Sequence, residues 1–179
     1  LVLKALHAAE MLDASDAHSA SAAILSAQGE DGSWSQSAHQ TALALEALRL
    51  VKTSNLALDP NGVVLSSNRA VDGEVVVASL RVRNVGFVAS MSTEVGVFDG
   101  SGADLGAVVA IPALEPGRHF DVSLKIDTGG HGPSSEVYFV LDPAGALDET
   151  RRDDNFLTAP LVIDPPPARV DLVVANASV

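Results

Sequence analysis

The sequence predicts a mainly β protein: a seven-stranded antiparallel immunoglobulin-like β-sandwich preceded by a short α-helical segment. Three observations predict it. From Gly73 to Gly86 the side chains alternate, with Val76, Ala78, Leu80 and Val82 on one face and Ser79, Arg81 and Arg83 on the other. That period of two belongs to a strand with one face buried and one in water. About seven short strands of this kind follow Asn55, set apart by turns rich in Gly, Pro and Asp. No helical pattern lies between them, which excludes a parallel α/β sheet.

Composition bounds the function. The 179 residues suffice for one domain and part of another. Hydrophobic residues make up 47% but aromatics only 4%, so the core is built from small side chains and the single Trp stands out. With 11 basic against 23 acidic residues the formal charge is −12. A nucleic-acid partner needs a basic footprint, so none is expected. The same charge opposes docking on anionic lipid and suits divalent cations nearby. There is no Cys, which excludes disulfides, zinc–thiolate sites and thiol nucleophiles. No apolar run reaches the roughly 18 residues of a membrane span.

Residues 1–52 read as helices. Leu3, Leu6 and Met11-Leu12 give a short amphipathic pattern, and Ser15 or Asp16 is the expected N-cap of a second helix through Ile24 and Leu25. A turn with two glycines, Gln28-Gly29-Glu30-Asp31-Gly32-Ser33, ends on Trp34. A third helix follows, with Ala38, Thr41, Leu45, Leu48 and Val51 along one stripe and Arg49 and Lys52 in its last turn. This segment resembles one QW-type repeat of the terpenoid-cyclase and protein-prenyltransferase α/α toroids. Ile24-Leu25, Gln28, Asp31-Gly32-Ser33-Trp34 and Thr41-Ala42-Leu43-Ala44-Leu45 carry the resemblance. It implies that Gln28 and Trp34 tie the loop to the following helix. Catalytic activity is not implied, because neither an Asp-rich acid motif nor a zinc-ligand set is present.

The β region occupies residues 53–164. Asn55 to Asp59 opens it, and Val63-Val64-Leu65 is a further short strand. Asn84-Val85-Gly86 is expected to leave the central strand through left-handed backbone. Val95 and Val97 face inward from Thr93–Phe98. Leu105 to Ile111 reads as a weaker strand near an edge, stopped by Pro112. Phe120, Val122, Leu124 and Ile126 face inward from the next strand, then Val137, Phe139 and Leu141, and Phe156–Ile163 is the last. Residues 165–179 read as a Pro-rich spacer, Pro165-Pro166-Pro167, and the first strand of a second sandwich at Val170-Asp171-Leu172-Val173-Val174.

The β region is similar to the bacterial cell-adhesion-related CARDB domain. Leu80-Arg81-Val82-Arg83-Asn84-Val85-Gly86, Leu114-Glu115-Pro116-Gly117, Leu147-Asp148-Glu149 and Asp153-Asp154-Asn155 carry the resemblance, and Val170–Val174 looks like the opening of the next copy. The resemblance implies a seven-stranded sandwich, usually tandem, in large exported or surface-attached bacterial proteins. It implies no ligand. The expected role is a non-catalytic spacer or adhesion module in a longer, extracellular or surface-bound polypeptide. Its partners would be neighbouring domains of the same chain, or another protein or cell-surface component. Two alternatives remain open: an accessory domain beside a catalytic toroid, and a Ca²⁺-stiffened carbohydrate- or protein-binding module.

Candidate chemistry concentrates in one turn. Asp148, Glu149, Asp153, Asp154 and Asn155 are the candidate Ca²⁺ ligands, since this ion takes about six to eight oxygens. The competing reading is a hairpin closed by side chains bonding their own backbone, with Arg151 and Arg152 neutralising the cluster. His7, His18, His39, His119 and His131 do not pair at zinc-ligand spacing. No Gly-x-Ser-x-Gly elbow exists, and Gly129–Gly132 is a hairpin loop rather than a phosphate loop. Trp34 reads as core, and the scarcity of aromatics argues against sugar stacking.

Overall fold

The computed structural model describes residues 14–106 and 108–167. The patterns expected at Leu3–Leu12 and Val170–Val174 lie outside the described residues. Two helices come first, α1 (Ala14–Ser26) and α2 (Ala38–Lys52). Helix α1 already contains Ser15 and Asp16, so neither is its cap. Ser37 caps α2 with extended backbone, its hydroxyl accepting from the Gln40 amide. Trp34 is buried between them: its indole Nε1 donates to the Ile24 carbonyl at 2.6 Å, and its own amide donates to Thr41 Oγ1 at 3.0 Å. Gln28 Nε2 donates to the Gly32 carbonyl, closing the loop. Of the expected stripe Leu48 and Val51 are buried, but Leu45 is 55% exposed. A pair of helices covers only one side of each.

Nine strands follow among the described residues: β1 (Leu56–Leu58), β2 (Val64–Leu65), β3 (Arg69–Val71), β4 (Val75–Asn84), β5 (Thr93–Phe98), β6 (Val109–Ile111), β7 (His119–Asp127), β8 (Ser134–Leu141) and β9 (Phe156–Asp164). In one sheet β4 is central, with β7 along one side and β1 then β2 along the other, all antiparallel. The second sheet runs β3-β9-β8-β5-β6, and only β3 is parallel to its neighbour. The excess over seven strands lies in the opening stretch, which is divided between the sheets. Strand β3 is not evident in the sequence. Three residues cannot show an alternation, and pairing with the distant β9 defines it.

The inward sets expected from period two form the core between the sheets. Val76, Ala78, Leu80 and Val82 from β4 meet Val95 and Val97 from β5, Leu124 and Ile126 from β7, and Phe139 from β8. Of the stretch Leu105–Ile111 only Val109–Ile111 is a strand, and it is the sheet edge. Leu105 bridges the sheets instead: its amide donates to the Val97 carbonyl, and its own carbonyl accepts from the Asp127 amide. Pro160 lies within β9 opposite Glu136, just before the residues that β3 joins, so its missing amide hydrogen costs that pairing nothing.

The exit from β4 departs from expectation. Neither Asn84 nor Gly86 has positive φ. Gly86 is needed for closeness: a Cβ there would lie 2.7 Å from the Ser54 carbonyl carbon, and the neighbouring Val85 amide donates to the Asn55 carbonyl at 2.8 Å. Both neighbours are backbone and cannot swing away. Gly86→Ala should therefore cost about 2–3 kcal/mol, as overpacked cores do, measured by urea unfolding.

Candidate functional site

The acidic turn between β8 and β9 is held by its own neighbours. Asp148 Oδ1 accepts from Arg49 Nη2 at 2.8 Å, an exposed pair linking α2 to the sandwich. Asp153 takes a two-pronged bond from Arg151, also in solvent. Neither carboxylate joins the other three candidates. Glu149 is buried, its Oε1 accepting from the Leu56 amide at 2.7 Å and its Oε2 from Asn155 Nδ2 at 2.6 Å. Asp154 Oδ2 accepts from Asn55 Nδ2 at 2.8 Å. Arg152 Nη2 donates to the Leu147 and Gly145 carbonyls. Among the described residues no group of three or more His, Cys, Asp or Glu is placed to hold a metal ion. Two buried acceptors, Asp154 Oδ1 and Asn155 Oδ1, have no donor.

Two fully buried asparagines, which sequence reasoning did not single out as buried partners, tie this turn to the central strand. Asn55 Oδ1 accepts from the Thr150 hydroxyl and the Arg151 amide, while its Nδ2 holds Asp154. Asn84 uses every polar site: Nδ2 donates to the Val88 and Leu114 carbonyls, and Oδ1 accepts from the Gly86 and Asn55 amides. Their positions, just before β1 and at the end of β4, are the signal available in the sequence. Asp142, at positive φ, clamps the same loop, accepting from Thr93 Oγ1 and the Ala146 and Leu147 amides. The arrangement closes hairpins and offers no nucleophile with an adjacent base.

At another pair of loops, His131 Nδ1 lies 3.0 Å from Asp99 Oδ2, joining the β7–β8 loop to the β5–β6 turn. The Ser101 hydroxyl, His131 and the Ala103 amide hold the Asp99 carboxyl well below the usual range. Beside this turn the fold gathers aromatics that are scattered in sequence. Phe98 stands opposite Tyr138, and Phe156 opposite Val140. The Tyr138 and Phe156 rings are 5.6 Å apart at 31°. Trp34 is not part of this surface.

No family model matches the chain, and no curated protein matches it. Among solved structures, the chain is similar to CARDB domains. One is the CARDB domain of a Pyrococcus furiosus protein in complex with di-metal ions, at 13% identity and a TM-score of 0.49 over 63% of this chain and 90% of that one. The chain is also similar to a domain of a Methanosarcina acetivorans protein assigned provisionally to the cell surface, at 23% identity and a TM-score of 0.48 over 61% of this chain and 92% of that one. A Listeria innocua β-glucosidase matches over 62% of this chain but 16% of its own, at 11% identity and a TM-score of 0.39.

Glu149 gives the turn a pH signature. Burial pushes its carboxyl above the ordinary 4.5, partly offset by the bonds from Asn155 and the Leu56 amide. Folding thus favours the protonated form, so this contribution is full below the unfolded value and lost as pH rises through the folded one. Glu149→Gln can still accept from Leu56 and, after a flip of Asn155, donate to its free Oδ1. Urea unfolding from about pH 4 to 7 should show a decline in wild type above its unfolded value that the variant lacks.

Proposed function

We propose that the chain is a non-catalytic structural and adhesion module of a larger surface-attached or secreted protein, a folded spacer that bears tension between neighbouring domains. The pairing of β3 with β9 carries this reading. The chain enters through the early strands and leaves through β9, and these two strands run parallel with Arg69 beside Val162, Ala70 beside Ile163 and Val71 beside Asp164. Once β1 and β2 have come away from β4, pulling the ends drives β3 and β9 past each other, so their bonds are loaded together in shear rather than broken one at a time. The Val162 amide donates to the Asn68 carbonyl at 3.0 Å, and the Asp72 amide to the Asp164 carbonyl at 2.8 Å. Arg69 grips both carboxylate oxygens of Asp164, with Nη2 to Oδ1 at 2.9 Å. The CARDB-like residues around Asn84 and the acidic turn support the same role, since they lock loops and leave no catalytic pair.

Single-molecule pulling on the chain by its ends tests this. Arg69→Ala should lower the rupture force clearly while changing equilibrium stability by at most about 1 kcal/mol, the usual worth of an exposed pair. An unchanged force would remove the mechanical reading.

A second reading, Ca²⁺ stiffening of the acidic turn, is favoured by the donorless Asp154 Oδ1 and Asn155 Oδ1. Asp148, Glu149 and Asp153 already hold other donors, so an ion would rest on these two oxygens and water. Calorimetric titration with Ca²⁺ and melting curves with chelator decide it. Saturable heat and a raised Tm, both lost in Asp154→Asn, support the ion; no heat and no shift leave hairpin closure.

A further inference from the structure

We propose that the outer face of the five-stranded sheet is a docking platform for a cationic peptide segment of a partner protein, received on Phe98, Tyr138 and Phe156. This rests on the adhesion reading above and gives it a partner chemistry. The three rings occupy neighbouring places on β5, β8 and β9. Gly96 makes room for the Phe98 ring, since a Cβ there would sit 2.9 Å from it. With Val140 and Pro143 the rings line a shallow depression of about 360 Å³. Phe156 is 47% exposed, and Val108 and Val162 extend the apolar surface toward the sheet edges.

Charge selects the occupant. No Lys or Arg lines the depression, and its one charged residue is Asp99. Glu136 and Glu94 are exposed on the same face, and Arg69 at its far edge is neutralised by Asp164. The outer face of the other sheet mixes signs instead, with Arg81 paired to Asp121 beside Arg83 and Lys125. An ammonium or guanidinium group above an aromatic ring is attracted by the ring's negative face, and a carboxylate at the rim adds to it. The formal charge of −12 steers the same partner and repels acidic chains and a second copy. A saccharide needs several free polar groups converging beside the rings. Here Asp99 is bonded to Ser101, Ala103 and His131, and the Tyr138 hydroxyl donates to Glu136.

The test titrates the 179-residue chain with three probes: a twelve-residue Lys–Leu peptide, its Glu–Leu counterpart and cellohexaose. Calorimetry reads affinity, and the ring signals of Tyr138, the single tyrosine, read location by NMR. The expected result is saturable binding of the Lys–Leu peptide alone, with shifted Tyr138 signals and weakening by salt. Affinity should fall at least about 10-fold in Tyr138→Ser/Phe156→Ser and about 3-fold in Glu136→Gln, both with wild-type melting curves. Equal affinity for wild type and the double variant would reveal diffuse attraction to an acidic chain and overturn the proposal. So would absence of binding, or preferential binding of cellohexaose or the Glu–Leu peptide. Loss of docking with an Arg69-dependent rupture force would overturn this proposal alone and leave the spacer standing.

Discussion

The carboxamide of Asn84 is the constraint on which one end of the sandwich depends. It is fully buried at the end of β4, and all four of its hydrogen-bonding sites are used. Two of them hold the Val88 and Leu114 carbonyls, and two hold the Gly86 and Asn55 amides. One side chain therefore joins the strand exit, the β6–β7 connection and the entry to β1. Full pairing favours a buried carboxamide, because each unpaired site there costs about 1–3 kcal/mol. Gly86 follows from this: bringing Asn84 against Asn55 leaves no space for a side chain one residue beyond Val85.

From that point the polar chain continues outward. Asn55 holds Asp154, Thr150 and Arg151; Glu149 holds Leu56 and Asn155. The acidic residues that look like an ion trap in one dimension are in three dimensions largely acceptors for backbone and amide donors. Arginine takes the exposed remainder, with Arg49 on Asp148 and Arg151 on Asp153. A core of mostly Val, Leu, Ile and Ala explains why closure is polar: such side chains pack between sheets but offer little to hold long loops.

The two outer faces of the sandwich have diverged in chemistry. One carries a cross-strand ion pair, Arg81 with Asp121, and the C-terminal flank of its strand β7 is covered by Leu105, whose carbonyl accepts from the Asp127 amide. The other carries the aromatic cluster and acidic rim. The proposed load along β3 and β9 and the proposed contact across the β5-β8-β9 face can coexist, because the first acts on the strand pairing and the Arg69–Asp164 pair at the sheet edge and the second on the rings of Phe98, Tyr138 and Phe156.

The sequence by itself determined the sandwich. Alternation along β4, β7 and β8 fixes which side chains face inward, since period two leaves one assignment of faces. It also determined that Trp34 is core, because a lone Trp beside a Gly-Ser turn between two amphipathic helices has few other places to go. Only the tertiary structure decided the rest. Strand β3 exists through β9, the exclusion of a Cβ at Gly86 comes from Ser54 and Asn55, and Leu45 is left in solvent by a helix pair that covers one side. The acidic turn was legible as a cluster but not as a network, because its donors, Asn55, Leu56 and Arg49, are far away in sequence. The aromatic face was hidden for the same reason. Phe98, Tyr138 and Phe156 belong to three strands, and strand pairing makes them neighbours.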